Sequence, residues 1–132
     1  MINSAEEFRN LRMSDELQEQ RRAAIEVAAY SVWLDVIQRF PELKTWVIQN
    51  KTIQIEILEL LALDSDPNVR SAVARKRKIT DKIFELLKDD TEESVRYDLL
   101  SNTKLALEKK LRIKVDDSEW LRDQLNEQLN KQ

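Results

Sequence analysis

The sequence repeats itself at an interval of 26 residues, and that period constrains the fold more than any other feature. Leu43-Lys44 falls on Val69-Arg70, then on Val95-Arg96, then on Leu121-Arg122. Val47 falls on Val73, Leu99 and Leu125, Ile48 on Ala74 and Leu100, and Ile53 on Ile79 and Leu105. Asp64 falls on Asp90 and Asp116, Glu59-Leu60-Leu61 on Glu85-Leu86-Leu87, and Pro41 on Pro67. These columns keep their chemistry, not only their polarity. A period of this length marks a small supersecondary unit that buries its apolar face only by stacking on a neighbour.

Within a unit the spacing predicts two short helices. The first spans Ile53 to Leu63 and returns at Ile79 to Lys88, with Ile53, Ile57, Leu60 and Leu61 on one face. The second opens at Pro67, whose fixed φ suits a first helical position, behind Asp66 as N-cap. Thr80 and Thr91 are the expected caps of the following helices. Val69, Ala72 and Val73 should be buried, and then Val95, Leu99 and Leu100. Asp64/Arg70, Asp90/Arg96 and Asp116/Arg122 each stand six apart. The carboxylate can accept backbone N–H groups of the next helix, and the Arg can pair with it or with a neighbouring unit's carboxylate.

The units are not equal. Lys109, Lys110 and Arg112 replace Ile57, Leu58 and Leu60, so Leu107, Leu111 and Val115 are expected to form that unit's apolar stripe. Before the repeats, one long helix is expected from Ser14 to Phe40, preceded by a short helix at Ser4 to Arg12. Asp117 to Leu129 reads as a polar C-terminal cap. The expected organisation is a single all-α domain over 1–132: N-terminal helices to residue 40, repeats over 41–115, and a cap over 116–132.

Composition narrows the chemistry. The 132 residues include no glycine, no cysteine and no histidine. Hairpin sheets and Gly-rich phosphate loops need glycine, while disulfides, thiolate metal sites and Cys or His catalytic pairs need the other two. No metal or cofactor is therefore expected. Charged residues make up 36%, against about 25% in a typical domain, which suits a thin, two-layered helical array. No apolar run approaches the roughly 20 residues of a membrane span, and Met1 to Asn10 lacks the apolar block of a signal peptide. A soluble, cytoplasmic chain with no membrane partner is expected. The net charge of −3 gives no global attraction for nucleic acid.

The run Leu63-Asp64-Ser65-Asp66-Pro67-Asn68-Val69-Arg70-Ser71-Ala72-Val73-Ala74 resembles the HEAT-like repeat signature. The short period and the stretch Thr91 to Asn102, with Val95-Arg96, also resemble bacterial leucine-rich-repeat-variant proteins. The resemblance covers about residues 34–129. It implies a short right-handed α-solenoid whose second helices line a concave face that holds a protein or a nucleic acid, and it carries over no catalytic residue.

On that face the column of Arg75 also holds Gln49 and Ser101, and neighbouring columns hold Trp46, Tyr97 and Asp98. Aromatics and Arg are enriched at binding hot spots. Arg75-Lys76-Arg77-Lys78 is the densest basic run: either a grip on phosphates or an acidic protein, or a helix end complementing its own dipole. Trp46 is open between core and binding roles, whereas Trp33 and Trp120 are expected to pack. The acidic turns Asp64/Asp66, Asp89/Asp90/Glu92/Glu93 and Asp116/Asp117/Glu119 read as caps.

Three functional classes remain. One is a non-catalytic protein-binding module, in its sharper form a cytosolic inhibitor such as an immunity protein neutralising a cognate toxin, monomeric when free. The second is a nucleic-acid binder by analogy with HEAT-like glycosylases acting on alkylated bases, using Trp46, Arg75, Arg77, Lys78, Tyr97 and Asp98. The third is an oligomerisation scaffold.

Overall fold

The structure, a computed structural model, describes residues 1–131. Among these the regular structure is helical, with ten α-helices and no strand beyond an isolated bridge between Ile2 and Ala28. No helix of the described residues is long and apolar enough to cross a membrane. The chain divides into two compact units, Met1–Leu60 and Leu61–Gln132.

The first unit contains α1 (Ala5–Met13), α2 (Leu17–Ile25), α3 (Tyr30–Arg39), a 3₁₀ turn (Pro41–Leu43) and α4 (Lys44–Gln49), and the division falls inside α5 (Ile55–Leu61). The short helix expected at Ser4 to Arg12 is α1, and Ser4 starts it by accepting the Glu7 N–H at 3.0 Å. α1 packs on α2 and α3, and α3 packs on α4. Phe8 meets Trp33 edge to face, with ring centroids 5.1 Å apart, and Trp33 is wholly buried.

The single long helix expected over Ser14 to Phe40 is not formed. The chain leaves helical geometry at Glu26 and re-enters at Tyr30. Neither Gly nor Pro causes this; partners elsewhere in the unit take up the carbonyls. Asn50 Nδ2 donates to Ala23 O and Glu26 O, and the Lys51 N–H to Ala24 O. The Ile2 N–H donates to Val27 O, and Gln54 Nε2 to Ala28 O. A continuous helix would use these acceptors internally. Here tertiary bonds replace the helical ones, so helical periodicity across residues 24–37 is compatible with two helices. The start also shifts: Ser14 Oγ accepts the Glu16 N–H, and α2 begins two residues beyond Asp15.

The second unit contains α6 (Pro67–Ala74), α7 (Asp81–Leu87), α8 (Glu93–Ser101), α9 (Leu107–Lys110) and α10 (Glu119–Asn130). Asp66 caps α6 and Thr80 caps α7, as expected. Thr91 does not cap α8: the N-cap position is Glu92, with no side-chain cap bond, and Asp90 Oδ1 accepts the Glu92 N–H at 3.0 Å, as Asp64 Oδ1 accepts that of Asp66. α6 packs on α8 and α8 on α10, burying Val69, Val73, Val95, Leu99, Leu100 and Leu121.

The weakest part of the repeat is α9. The buried apolar residues flanking it are Leu105 and Ile113; of the expected stripe Leu107 and Val115 are half-buried and Leu111 is 56% exposed. With lysines where core residues stand elsewhere, the helix contracts to one turn. Lys110 is nonetheless buried, donating to Gln128 Oε1 at 2.9 Å, and burial lowers its pKa.

Candidate functional site

The repeated arginines serve the architecture of the second unit. Arg70 forms a two-pronged pair with Asp90 of the next turn, at 2.8 and 3.1 Å, and donates to Asp64 O. Arg96, fully buried, pairs the same way with Asp117 at 2.7 and 3.1 Å and donates to Lys114 O. The expected partner Asp116 is displaced by one residue, in step with the irregular α9. Arg122 returns to the six-residue pattern by donating to Asp116 O at 3.0 Å. Arg70, Asp90, Arg96 and Asp117 thus fix the spacing between successive turns.

Asn102 was expected to matter only as part of a signature, and Asn50 was missed. Asn102 Nδ2 donates to Ala74 O and Lys76 O at 2.8 and 2.7 Å, while its Oδ1 accepts the Lys104 N–H. Asn50 makes the equivalent clamp on Ala23 O and Glu26 O and accepts the Thr52 N–H. The two asparagines stand two periods apart, which is the signal that would have paired them.

Of the candidate binding residues in the second unit, Arg75, Arg77, Asp98 and Ser101 come together. With Asn102, Thr103 and Lys104 they line a cleft of about 350 Å³. Arg75 is ion-paired to Asp98 at 2.8 Å, and Ser101 accepts a hydrogen bond from Gln124 Nε2 at 3.0 Å. Tyr97 stacks on Trp120 of α10, with centroids 4.5 Å apart and planes 12° from parallel. Trp120 is 48% exposed, so it is not the packed cap residue expected from sequence. Lys78 is exposed and outside this cleft. The run Arg75 to Lys78 is not a uniform basic patch: Arg75 faces a carboxylate, and Lys76 is half-buried with its pKa lowered by desolvation.

In the first unit Trp46 and Gln49 line a separate cleft of about 440 Å³ between α1, α2 and α4. Phe8, Leu17, Ala23 and Ala24 supply most of its wall, and Arg12, Arg21 and Lys51 supply its charge. The Arg12 guanidinium lies over the Trp46 ring, 3.4 Å from its centroid, so Trp46 is half in the surface and half in contact with α1. On the same unit, Glu26 pairs with Arg22 at 2.5 Å. That hydrogen bond, and after it the Met1 ammonium, pulls its pKa down to about 2.

Among the described residues no three carboxylates come close enough together to hold a metal ion. Of the acidic turns, Asp64, Asp66, Asp90 and Asp117 are engaged with backbone N–H groups at helix starts or with arginines. Compared with known proteins, the chain matches no family model, no curated protein and no solved structure.

Proposed function

We propose that this chain is a non-catalytic protein-binding module built as a short, right-handed α-solenoid of the HEAT-like or leucine-rich-repeat-variant kind. The architecture is supported by the recurrence of equivalent clamps two periods apart, at Asn50 and Asn102, and by the Arg70–Asp90 and Arg96–Asp117 links between turns. Each link joins one helical turn to the next, as a stacked array requires.

The observation that carries the binding role is the surface along α6, α8 and α10. It presents Arg75, Arg77, Tyr97, Asp98 and Trp120, a mixture of Arg and aromatic side chains typical of interface hot spots. The Arg75–Asp98 pair and the Tyr97–Trp120 stack hold these groups in place before a partner arrives, lowering the ordering cost of association. Polar groups on the same surface are already engaged with one another, which favours recognition over bond chemistry. In the sharper version the partner is a basic toxin domain, steered by the net charge of −3. The nucleic-acid reading has less support, because Asp98 neutralises Arg75 at the start of the basic run.

The test is affinity capture by the purified chain, repeated with Trp120→Ala and with Arg77→Glu. A protein retained by the parent and released at least tenfold more readily from both variants is expected. Binding of duplex DNA with steep salt dependence, in the absence of any retained protein, would overturn the proposal.

A further inference from the structure

We infer that the cleft between α1, α2 and α4 is a docking site for an acidic amphipathic segment of a partner protein, one that inserts an apolar or aromatic anchor between flanking carboxylates. This inference rests on the reading of the chain as a protein-binding module and names the chemistry of one partner segment.

The charge distribution is the first observation. The chain is net acidic, yet the charged residues lining this cleft are Arg12, Arg21 and Lys51, with no carboxylate among them. These three carry no ion pair among the described residues, whereas Arg22 and Arg39 on the same unit are paired to Glu26, Glu6 and Asp35. Arg12 is held against Trp46, and its Nε is buried without a hydrogen-bond partner. Cations left unpaired around one concavity set a positive local field in a negative molecule.

The second observation is the apolar wall. Leu17 is 79% exposed although it lies at the start of α2 and lines the cleft. Ala23 and Ala24 keep the floor open, and Trp46 closes one side with 37% of its surface free. The volume of about 440 Å³ falls among ordinary binding clefts of roughly 300–1,000 Å³. An apolar floor under a cationic rim matches an amphipathic helix laid into a groove, with its anchor residues inward and its acids outward. A nucleic-acid strand would pair its phosphates with the rim but leave the aliphatic floor unmatched.

The probe is a fluorescein-labelled peptide in which leucine and phenylalanine recur at i, i+3, i+4 and i+7 among glutamates, titrated with the full chain and followed by anisotropy. Saturable binding is expected, weakened roughly tenfold or more by R21E/K51E and by Leu17→Ser. Arg21 and Lys51 are exposed, so circular dichroism and melting should match the parent. Should a variant fail to fold, a peptide with glutamates changed to lysine tests the same contact against the parent chain and is expected not to bind. No binding of the acidic peptide, equal binding of its lysine counterpart, or tighter binding of a single-stranded oligonucleotide would overturn the inference. A captured protein that binds parent and R21E/K51E alike, with no peptide binding, removes the cleft assignment and leaves the module reading standing. Charge-dependent peptide binding without any captured protein upholds the cleft assignment and counts against the surface along α6, α8 and α10 as the binding face.

Discussion

Asn50 and Asn102 each use one amide to hold two carbonyls where a helix ends, at residues 23 and 26 and at residues 74 and 76. Removing the amide leaves two acceptors short of partners in a buried place. Asn50→Ala and Asn102→Ala should therefore each cost about 2–3 kcal/mol in urea denaturation. Asn→Asp should not rescue either, because the contact needs a donor. Glu26 gives a pH signature at the same scale. Its folded pKa of about 2 lies below the ordinary value of 4.5. Its contribution is therefore fully present above about pH 4.5 and is lost as pH falls toward 2. Glu26→Gln should flatten the acid limb of the melting curve between those values. The lowered pKa values of Glu6, Asp81 and Asp117, each set first by a hydrogen bond from Arg39, Lys109 and Arg96 respectively, add loss in the same direction. The sequence pointed to Asp64, Arg70, Asp90 and Arg96 as structural. It left open whether each Arg pairs within its unit or with the neighbouring unit's carboxylate; Arg70 and Arg96 take the second course, a choice that spacing within a unit does not make.

At the scale of elements, the short helices were legible wherever caps and periodicity agreed. Asp66-Pro67 and Thr80 begin helices where they should, and Val69, Val73, Val95 and Leu99 are buried. The errors fall where tertiary bonds override local preference. No residue between Glu26 and Ala29 is a helix breaker, yet Asn50, Lys51, Gln54 and Ile2 divert the carbonyls there. At α9, periodicity favoured Leu111 over Ile113, and the structure reverses them. Leu111→Lys should change stability by less than about 0.5 kcal/mol, whereas Ile113→Ala should cost about 2–4 kcal/mol in the same denaturation assay. Arg70→Ala should cost about 2–3 kcal/mol, since it strands a nearly buried Asp90 carboxylate.

For the molecule as a whole, function follows from what its surfaces offer. Arg75 and Ser101 were legible together because they share a column of the repeat, with Asp98 in a neighbouring column and Arg77 in the basic run, and the four meet around one cleft. The Tyr97–Trp120 stack was not legible, since Trp120 looked like a packing residue and its partner sits on α8, with α9 between them in the chain. The cationic rim of Arg12, Arg21 and Lys51 was equally hidden: these residues come from three separate segments and share no column. The most direct measurement of the central claim is the affinity of a captured protein partner for a panel substituted at Trp46, Gln49, Arg75, Arg77, Lys78, Tyr97, Asp98, Ser101 and Trp120. Binding energy concentrated in a few of these positions, each weakening the complex at least tenfold while the melting temperature holds, is the predicted result. Parent-like affinity across the whole panel, or no protein bound at all, would contradict it.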